Sequence, residues 1–461
     1  MTHSLSHSLS HSLPQSEYKW RRQQLLAQLP PCSAVLLPAA KLRYRNRDAE
    51  YAFRQSSDFL YLSGFAEPDA LMLLLKNASA DSESILFVLP RDPAQEVWTG
   101  YRAGAEGAVE QFGFERGFSL DQQSKQLPGL LAGCERIYYP FSASVLGGDS
   151  LVAQIQGWCQ QLQSKARSSA AAPQQLQNIE PLLHEMRLIK SDAEQQLLRE
   201  AARVSAQAHR LAMHNCRPGM FEYQLEADIA HSFGQQGCRF AAYSTIVGGG
   251  ANGCVLHYTQ NRDALQDGDL VLIDAGCELD GYAGDITRTF PVNGRFSADQ
   301  KILYQCVLDA QQAAIAAIRP GARFDDPHQA ALQVLVAGLV EHGLLEGEVE
   351  ALIASEAYKP FYMHRTSHWL GLDVHDVGDY QRDAESRRLQ PGMVLTIEPG
   401  LYIAPDNEQV ESRWRGIGIR IEDDLLVTGQ GAELLSRDVP KQIAEIEALM
   451  AQNRGHEADH G

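Results

Sequence analysis

Two apolar stretches in the second half of the chain each end in an acidic residue that glycine closely follows. Residues 268–276 read GDLVLIDAG and residues 392–400 read GMVLTIEPG, so Asp274 and Glu398 occupy the same position in each copy. Short apolar runs of this kind predict buried strands. An unpaired carboxylate there would cost several kcal/mol, so two equivalent acids indicate ligands for a positively charged group.

A second acid follows each of these predicted strands. Asp285 precedes the alternating run ITRTF, and Glu422 lies two residues after Arg420 in the stretch GIGIRIED, on the same face of a strand. The sequence therefore predicts two β-hairpin units with two inward carboxylates each. Four crowded carboxylates repel one another, and bound cations resolve that repulsion.

Three histidines lie within twelve residues between the two hairpin units: His364, His368 and His375. A single histidine in such a stretch is more often a satisfied core or surface residue, but three together favour function. His257 is a further candidate, after the glycine-rich stretch 248–253. We predict a backbone turn for that stretch, because the strand and helix context of a dinucleotide site is missing.

Carboxylates combined with an imidazole suit Mn²⁺, Co²⁺, Fe²⁺ or Zn²⁺, and no thiolate belongs to the set. The number of acids predicts two ions about 3.5–4 Å apart, which would lower the pKa of a shared water. A single structural Ca²⁺ or Mg²⁺ ion is the alternative. It is disfavoured because those ions rarely recruit histidine.

Length and composition limit the classes of protein that the chain can form. A chain of 461 residues with 44% hydrophobic and 21% charged residues predicts a globular protein of two domains. The net charge of −18 argues against a nucleic-acid partner. We expect no membrane helix and no secretory signal. Eight cysteines without a C-x-x-C pair predict reduced thiols and a cytoplasmic location.

The pattern along the chain predicts an α/β (α+β) fold with three parts. Residues 1–16 should be a flexible low-complexity tail, residues 17–185 a mixed α/β domain, and residues 186–461 a domain in which helix, helix and hairpin occur twice. Apolar runs at 33–38, 70–75 and 84–89 predict strands of the first domain. Arg-Pro-Gly at 217–219 and again at 319–321 predicts the end of a helix in each copy.

Four acids and one histidine resemble, in their order along the two hairpin units, the metal ligands of the pita-bread metallopeptidases (peptidase family M24B). These residues are Asp274, Asp285, His368, Glu398 and Glu422. The similarity is strongest to the bacterial aminopeptidase P branch. It rests on LIDAGC, GDITRTF, SHWLGLDVHD and GIGIRIE at 272–277, 284–290, 367–376 and 416–422. The stretch RQSSDFLYLSGF at 54–65 resembles the creatinase-like N-terminal domain of that branch. The implied fold is that domain followed by a duplicated pita-bread catalytic domain.

The resemblance implies a metal-dependent aminopeptidase that hydrolyses the N-terminal Xaa-Pro bond of peptides through a hydroxide activated by two metal ions. Manganese is the usual metal of the family, with Co²⁺, Zn²⁺ or Fe²⁺ as alternatives. By the same resemblance, Asp274 would hold one ion, and His368 and Glu398 the other. Asp285 and Glu422 would bridge the two ions, and Glu398 would also carry the proton to the leaving nitrogen.

The resemblance further implies that His257, His364 and His375 line the pocket and hydrogen-bond the carbonyl oxygen and the tetrahedral intermediate. Arg420 would steady the bridging acids and the neighbouring Tyr380, a substrate-binding residue.

Trp98 matches a tryptophan that approaches the site of a neighbouring subunit in tetrameric relatives, although an ordinary packed aromatic is an equal alternative. The resemblance also implies that this chain forms a homo-oligomer, a tetramer or a dimer. The stretch 381–388 departs from close relatives, so Arg382, Arg387 or neither lines the pocket.

Three other functions remain open at this point. A prolidase would share all five ligands but would cut only Xaa-Pro dipeptides. A non-enzymatic peptide-binding pita-bread scaffold would be expected to lack metal ligands, and a creatinase-like amidinohydrolase would lack the metal-binding acids. The presence of the five residues disfavours the scaffold and the amidinohydrolase, and the local motifs favour the aminopeptidase over the prolidase.

Overall fold

The computed structural model of the chain describes residues 13–142, 151–164 and 172–457, with side chains given as far as residue 452. Two compact units divide between Met186 and Arg187, one residue from the boundary that the sequence pattern predicts. Within the predicted tail, residues 1–12 lie outside the described residues. The first helix already begins at Gln15, so the tail prediction is wrong for the last two residues. Pro14 precedes that helix, a position that proline favours.

The helices of the N-terminal unit include one, α7, that contains the division point between the units. They are α1 (Gln15–Gln28), α2 (Ser57–Ser63), α3 (Pro93–Thr99), α4 (Gly104–Glu110), α5 (Gln123–Leu130), α6 (Leu151–Ser164) and α7 (Glu180–Leu188). The strands are β1 (Ser33–Pro38), β2 (Tyr44–Asn46), β3 (Ala49–Glu50), β4 (Leu71–Lys76), β5 (Ser82–Val88), β6 (Arg116–Ser119), β7 (Arg136–Tyr139) and β8 (Gln175–Asn178).

Six of these strands form a mixed sheet in the order β6-β5-β4-β1-β7-β8. Strand β4 runs antiparallel to β1 and β5, and the other neighbours are parallel. The three apolar runs predicted as strands correspond to β1, β4 and β5, with shifts of at most two residues. Their side chains Leu36, Leu73 and Phe87 are buried against Trp158 of α6 in the core of this unit.

The C-terminal unit contains longer helices and shorter sheets. Its helices are α8 (Asp192–Asn215), α9 (Glu222–Gln235), α10 (Ala298–Ala317), α11 (Asp326–Glu341), α12 (Val349–Ala354) and α13 (Ile443–Glu457). Its strands are β9 (Phe240–Ala241), β10 (Ile246–Gly249), β11 (Leu270–Asp274), β12 (Cys277–Leu279), β13 (Tyr282–Ala283), β14 (Thr287–Pro291), β15 (Gln381–Arg382), β16 (Glu385–Ser386), β17 (Val394–Ile397), β18 (Gly400–Tyr402), β19 (Gly418–Arg420), β20 (Asp423–Thr428) and β21 (Gly431–Leu434).

The predicted duplication is present in this unit. Helix α8 packs on α9 and α10 on α11, and each pair precedes an antiparallel strand pair, β11 with β14 and β17 with β20. The glycines that match between the copies share a left-handed backbone: φ is +87° at Gly219 and +83° at Gly321, and +90° at Gly268 and +91° at Gly392. Only glycine adopts such values at little cost, which explains why both copies carry it there.

Two local predictions are also confirmed. Ser191 and Glu194 form a capping box at the start of α8, each accepting a backbone N–H from the other. The glycine-rich stretch forms the end of β10 and a 3₁₀ turn at Gly250–Cys254, as a backbone turn requires.

The eight cysteines are free thiols. Among the helices that the structure describes, none combines the length and apolar character needed to span a membrane.

Candidate metal centre

The ends of two strand pairs bring the four predicted carboxylates together. Asp274 is the last residue of β11 and Asp285 lies two residues before β14; Glu398 directly follows β17 and Glu422 directly precedes β20. In each pair the antiparallel register places the acid-bearing ends side by side, with Asp274 opposite Thr287 and Ile397 opposite Asp423. The four acids line one cavity of about 720 Å³, a size typical of ligand pockets.

Asp285 lies at the centre of this cluster. Its Oδ2 is 3.3 Å from His368 Nε2, while its Oδ1 is 2.6 Å from the hydroxyl oxygen of Tyr243. That same hydroxyl is 2.6 Å from Asp274 Oδ1. The two oxygens of Asp285 therefore point to opposite sides, one towards His368 and one towards Asp274.

The second half of the site converges on the same imidazole. His368 Nε2 lies 3.7 Å from Glu398 Oε1 and 4.0 Å from Glu422 Oε1. Single ligand atoms of Asp285, His368 and Glu422 all lie within 4.8 Å of one another, a spacing that can hold a metal ion. The other Glu422 oxygen, Oε2, accepts a 2.7 Å hydrogen bond from the Thr287 hydroxyl, which fixes the carboxylate.

The electrostatics of the cluster require added positive charge. Burial raises the pKa of Glu398 to about 7, although the charges of His368 and Arg420 act to lower it. Burial, followed by the charges of Asp285 and Glu398, raises the pKa of Glu422 well above its usual range. Burial also raises the pKa of Asp274. Burial acts to lower the pKa of His368, but the hydrogen bond that its ring donates to Asp285 and the charge of Glu398 outweigh burial and raise the pKa to about 9.

These shifts test whether divalent cations fit the site. Because the buried carboxylates repel one another, protonation of the acids and of His368 is favoured when no cation is bound. A bound cation would supply the positive charge that these protons otherwise supply. Carboxylate oxygens and one imidazole nitrogen are the donors that Mn²⁺, Co²⁺, Fe²⁺ and Zn²⁺ accept. The residues therefore fit divalent cations.

Arg420 is the last residue of β19, and each of the three nitrogens of its guanidinium donates a hydrogen bond. Its Nη2 donates to Asp274 Oδ2 at 2.6 Å, its Nε to the Thr287 hydroxyl at 3.1 Å, and its Nη1 to the Tyr402 hydroxyl at 3.1 Å. The resemblance predicts Arg420 near Tyr380; both line the cavity, and the tyrosine hydroxyl that Arg420 contacts is that of Tyr402. The hydroxyl of Tyr380 instead accepts the backbone N–H of Trp369 at 3.3 Å.

Tyr402 extends this chain of hydrogen bonds to His364. The Tyr402 hydroxyl lies 2.9 Å from His364 Nε2, and His364 Nδ1 lies 2.8 Å from the carbonyl oxygen of Arg365. A carbonyl only accepts, so Nδ1 carries the proton and Nε2 accepts from the tyrosine. Burial, together with the charge of Arg420, lowers the pKa of His364 to about 3, so its ring is neutral.

The other two predicted histidines also border the cavity. The ring of His375 meets that of His368 edge-on at 4.3 Å between centroids, and burial lowers the pKa of His375. His257 follows the 3₁₀ turn after β10 and lines the same cavity. The structure thus places the three histidines around the four acids.

One wall of the cavity is aromatic. Phe324 packs against Trp369 at 4.6 Å and Tyr380 at 4.7 Å between centroids, and the last two rings stack 8° from parallel. Phe324 and Tyr380 face the cavity, and Val374 and Ile246 add to its apolar lining. The site therefore joins a charged region to an apolar surface.

Three residues considered for the pocket, Trp98, Arg382 and Arg387, are not among those that line this cavity. Trp98 lies on α3 of the N-terminal unit and is 84% exposed, so its substrate-binding role stays a prediction. Arg382 belongs to the exposed β15–β16 hairpin and Arg387 is buried, and the cavity lining includes neither. Arg365 lines the cavity instead.

Sequence reasoning missed several residues of the site: Tyr243, Tyr402, Phe324, Asp325 and Arg365. Tyr243 follows β9 with no recognisable spacing to the acids, and only the fold brings its hydroxyl between Asp274 and Asp285. Arg365 stands inside the histidine stretch and could have been considered on that ground.

Comparisons with known proteins agree with this geometry. The sequence model of metallopeptidase family M24 matches residues 196–429, and that of the aminopeptidase P N-terminal domain matches residues 18–138. The chain is 47% identical to the Xaa-Pro aminopeptidase of Escherichia coli (strain K12) over 95% of this chain and 98% of that protein.

Two solved structures are similar along nearly the whole chain. Aminopeptidase PepP of Pseudomonas aeruginosa is 51% identical, with a TM-score of 0.93 over 96% of this chain and 99% of that one. Zinc-substituted aminopeptidase P of Escherichia coli, in complex with product, is 47% identical, with a TM-score of 0.91 over 96% and 99%.

Proposed function

The chain belongs to metallopeptidase family M24, and from that premise we propose that it is a metal-dependent Xaa-Pro aminopeptidase. It would release the N-terminal residue of peptides in which proline is second. The observation that carries this proposal is the convergence of Asp285, His368 and Glu422 with two further acids at one cavity. Identity to Xaa-Pro aminopeptidases over nearly the full chain supports the same specificity.

Two divalent cations would be held by the acids and His368. The opposed oxygens of Asp285 support a bridging role, with Asp274 on one side and His368 and Glu398 on the other. Glu422, whose free oxygen faces His368, would complete the bridge. When bound, such a pair of cations supplies a hydroxide near neutral pH and polarises the scissile carbonyl.

The chain's own groups would then orient the substrate and move the proton. Glu398 borders the cavity with its side chain 17% exposed, so it can carry a proton between the nucleophile and the leaving nitrogen. His257, His364 and His375 surround the acids and would hydrogen-bond the carbonyl oxygen as negative charge develops on it.

Selection of proline would depend on shape. An Xaa-Pro bond has no N–H, so recognition cannot use a hydrogen bond from that nitrogen. Phe324 and Tyr380, which pack against the buried Trp369, offer an apolar surface next to the acids for the rigid ring.

The proposal also covers the identity of the metal, the cellular location of the enzyme and its oligomeric state. Manganese suits a donor set of four carboxylates and one imidazole. A cytoplasmic location is supported by eight free thiols. A homo-oligomer, dimeric or tetrameric, in which Trp98 reaches a neighbouring subunit, is supported by the exposure of that side chain.

The test uses metal-stripped protein, with and without added Mn²⁺, and two substrates. We expect metal-dependent release of the first residue from an Xaa-Pro-Yaa-Zaa peptide. Cleavage of an Xaa-Pro dipeptide alone would make the protein a prolidase. Metal binding without cleavage of either peptide would favour a peptide-binding scaffold.

A further inference from the structure

An ion pair stands on the side of the cavity that faces solvent. Arg365 Nη1 lies 3.3 Å from Asp325 Oδ1, and both residues line the cavity that contains the acids. The two side chains are 66% and 36% exposed, whereas that of His368, three residues further along the chain, is 13% exposed. The pair therefore lies at the mouth of the cavity and the acids at its base.

Arg365 differs in its contacts from the other arginine of the cavity. Arg420 is buried and donates to Asp274, Thr287 and Tyr402, so it has little capacity for a ligand. A guanidinium has five N–H donors, and the contact of Arg365 is a single one to Asp325. Exposed ion pairs of this kind are weak, so a second carboxylate can share or replace Asp325.

The Asp325 carboxylate can pair with the Arg365 guanidinium because it does not cap the helix that follows it. It is the N-cap residue of α11, but its carboxylate makes no capping hydrogen bond. Its backbone N–H donates to the Ser386 hydroxyl at 3.1 Å, which ties the mouth to the β15–β16 hairpin.

The direction of a bound peptide identifies the anion that Arg365 meets. The positively charged amino end belongs with the acids at the base, so the rest of the peptide extends towards the mouth. We propose that Arg365 binds a carboxylate on the residue that follows proline, above all the α-carboxylate of an Xaa-Pro-Yaa tripeptide. This inference rests on the proposed function and names the substrates that the site prefers.

The test compares three peptides that share one scissile bond: Ala-Pro-Ala, Ala-Pro-Ala-amide and Ala-Pro-Glu-amide. For each variant we take the ratio of kcat/KM for the free acid to that for the first amide, so a general change of activity cancels. In the metal-loaded wild-type protein we expect a ratio of about five, the range of one exposed charged contact. Added salt should reduce it.

The variant R365Q should bring this ratio close to one, whereas R382Q, which changes an exposed arginine outside the cavity lining, should leave it as in the wild type. The variant D325N should raise the ratio, because it removes the competing carboxylate. Faster cleavage of Ala-Pro-Glu-amide than of Ala-Pro-Ala-amide, lost in R365Q, would show that a side-chain carboxylate also binds there.

A wild-type ratio of one, or a ratio that R365Q leaves unchanged, would overturn the inference. Failure to cleave any of the three peptides would instead refute the proposed function, on which the inference rests. The two failures are therefore distinguishable in the same set of assays.

Discussion

Asp285 combines three contacts that decide how the candidate metal centre is arranged. One oxygen faces His368 and the other faces Tyr243, while its backbone N–H donates to Asp424 Oδ2 at 3.0 Å. Asp424 comes from the second copy, so the position of Asp285 depends on both copies. The orientation of this one side chain favours a ligand shared between two ions over a ligand of one ion.

The substitution D285N should reduce bound metal and lower hydrolysis of an Xaa-Pro peptide by roughly 100-fold or more, since even residues behind a ligand often cost 10–100-fold. Asparagine keeps the shape but cannot neutralise two cations. Metal analysis and an activity assay on the folded variant measure both effects. The control is D280N, in the exposed turn of the same hairpin, where φ is +49° and asparagine is well tolerated. Full activity in D285N would rule out the bridging role.

At the scale of elements, buried carboxylates outside the metal cluster hold the loops that carry the pocket histidines. Glu222, the first residue of α9, accepts four hydrogen bonds: from Gly249 N and Asn252 Nδ2 on one oxygen, and from Asp263 N and the Tyr258 hydroxyl on the other. These donors span the loop that contains His257. The helix terminus therefore determines where that histidine stands.

We expect E222Q to lower kcat/KM for an Xaa-Pro peptide by roughly 10-fold, as is common for residues that orient active groups, and to leave metal content unchanged. The amide of glutamine presents one acceptor oxygen where the loop requires two. Steady-state kinetics and metal analysis separate the two effects. Asp228, on the same helix but bonded to Asn215, provides the control D228N. Equal kinetics in both variants would contradict the positioning role.

A buried ion network holds the turn that carries His375. Asp376 accepts from Arg187 Nη2 at 2.5 Å and from Lys190 Nζ at 2.9 Å, and all three side chains are at most 3% exposed. Burial acts to raise the pKa of Asp376, but the charges of Lys190 and Arg187 outweigh it and keep the pKa below its usual range. Asp373 accepts from the same Arg187 nitrogen at 2.7 Å, with its side chain 43% exposed.

This pair of aspartates gives a matched prediction for stability. The variant D376N should destabilise the protein by about 3 kcal/mol, because it removes the negative charge that pairs with the buried Lys190 and the buried one of the two acids that pair with Arg187. The variant D373N should cost at most about 1 kcal/mol, since the Asp373 carboxylate is partly exposed to water and Arg187 keeps its bond to the buried Asp376. Thermal unfolding of the two variants under the same metal loading measures the difference. Equal melting temperatures would show that burial does not decide the cost.

At the scale of the molecule, the candidate site lies where the two copies of the duplicated unit meet. Strand β14 of the first copy contacts the start of β20: Glu422 N donates to Thr287 O at 3.0 Å, and Arg288 Nη2 to Asp423 Oδ1 at 2.7 Å. Arg288 and Asp423 are fully buried, and Lys441 Nζ is a second cation that donates to Asp423, at 2.6 Å. Each copy contributes acids, and neither copy alone contains the site.

Crowding of these acids predicts how the stability of the whole protein depends on pH. The pKa of Glu398 is raised to about 7, against about 4.3 in an unfolded chain, so its contribution to stability is complete below about pH 4.3 and is lost as pH rises towards 7. The pKa of His368 is raised to about 9, against about 6.5 in an unfolded chain, so its contribution to stability is complete below about pH 6.5 and is lost as the pH rises towards 9. Bound divalent cations would balance the negative charge of the acids in place of these protons, so the metal-loaded protein should not lose this stability as the pH rises.

The melting temperature of metal-stripped protein should therefore fall, relative to that of Mn²⁺-loaded protein, between pH 5.5 and 7.5. We expect the gap to widen by roughly 5 °C, as a few kcal/mol would produce in a chain of this size. Groups outside the cluster titrate in both forms and cancel in the difference. A gap that stays constant or narrows with rising pH would contradict the arrangement of charges described here.

Much of the fold could be predicted from sequence because local rules produce it. Short continuous apolar runs place β1, β4 and β5, Ser191 and Glu194 cap α8, and the matched glycines mark both copies of the duplicated unit. The predicted tail extends two residues into α1, because Gln15 and Ser16 are polar and exposed and give no local sign of the helix.

By itself the sequence determined the chemistry of the site: which acids and histidines could bind metal, since residue type and repeated spacing are written in the chain. Only the tertiary structure decided their arrangement. Contacts between residues distant in sequence place Tyr243 between two acids, couple Arg420 to Tyr402 and set Arg365 at the mouth. Such contacts have no local signal, because they depend on how separate strands and loops pack.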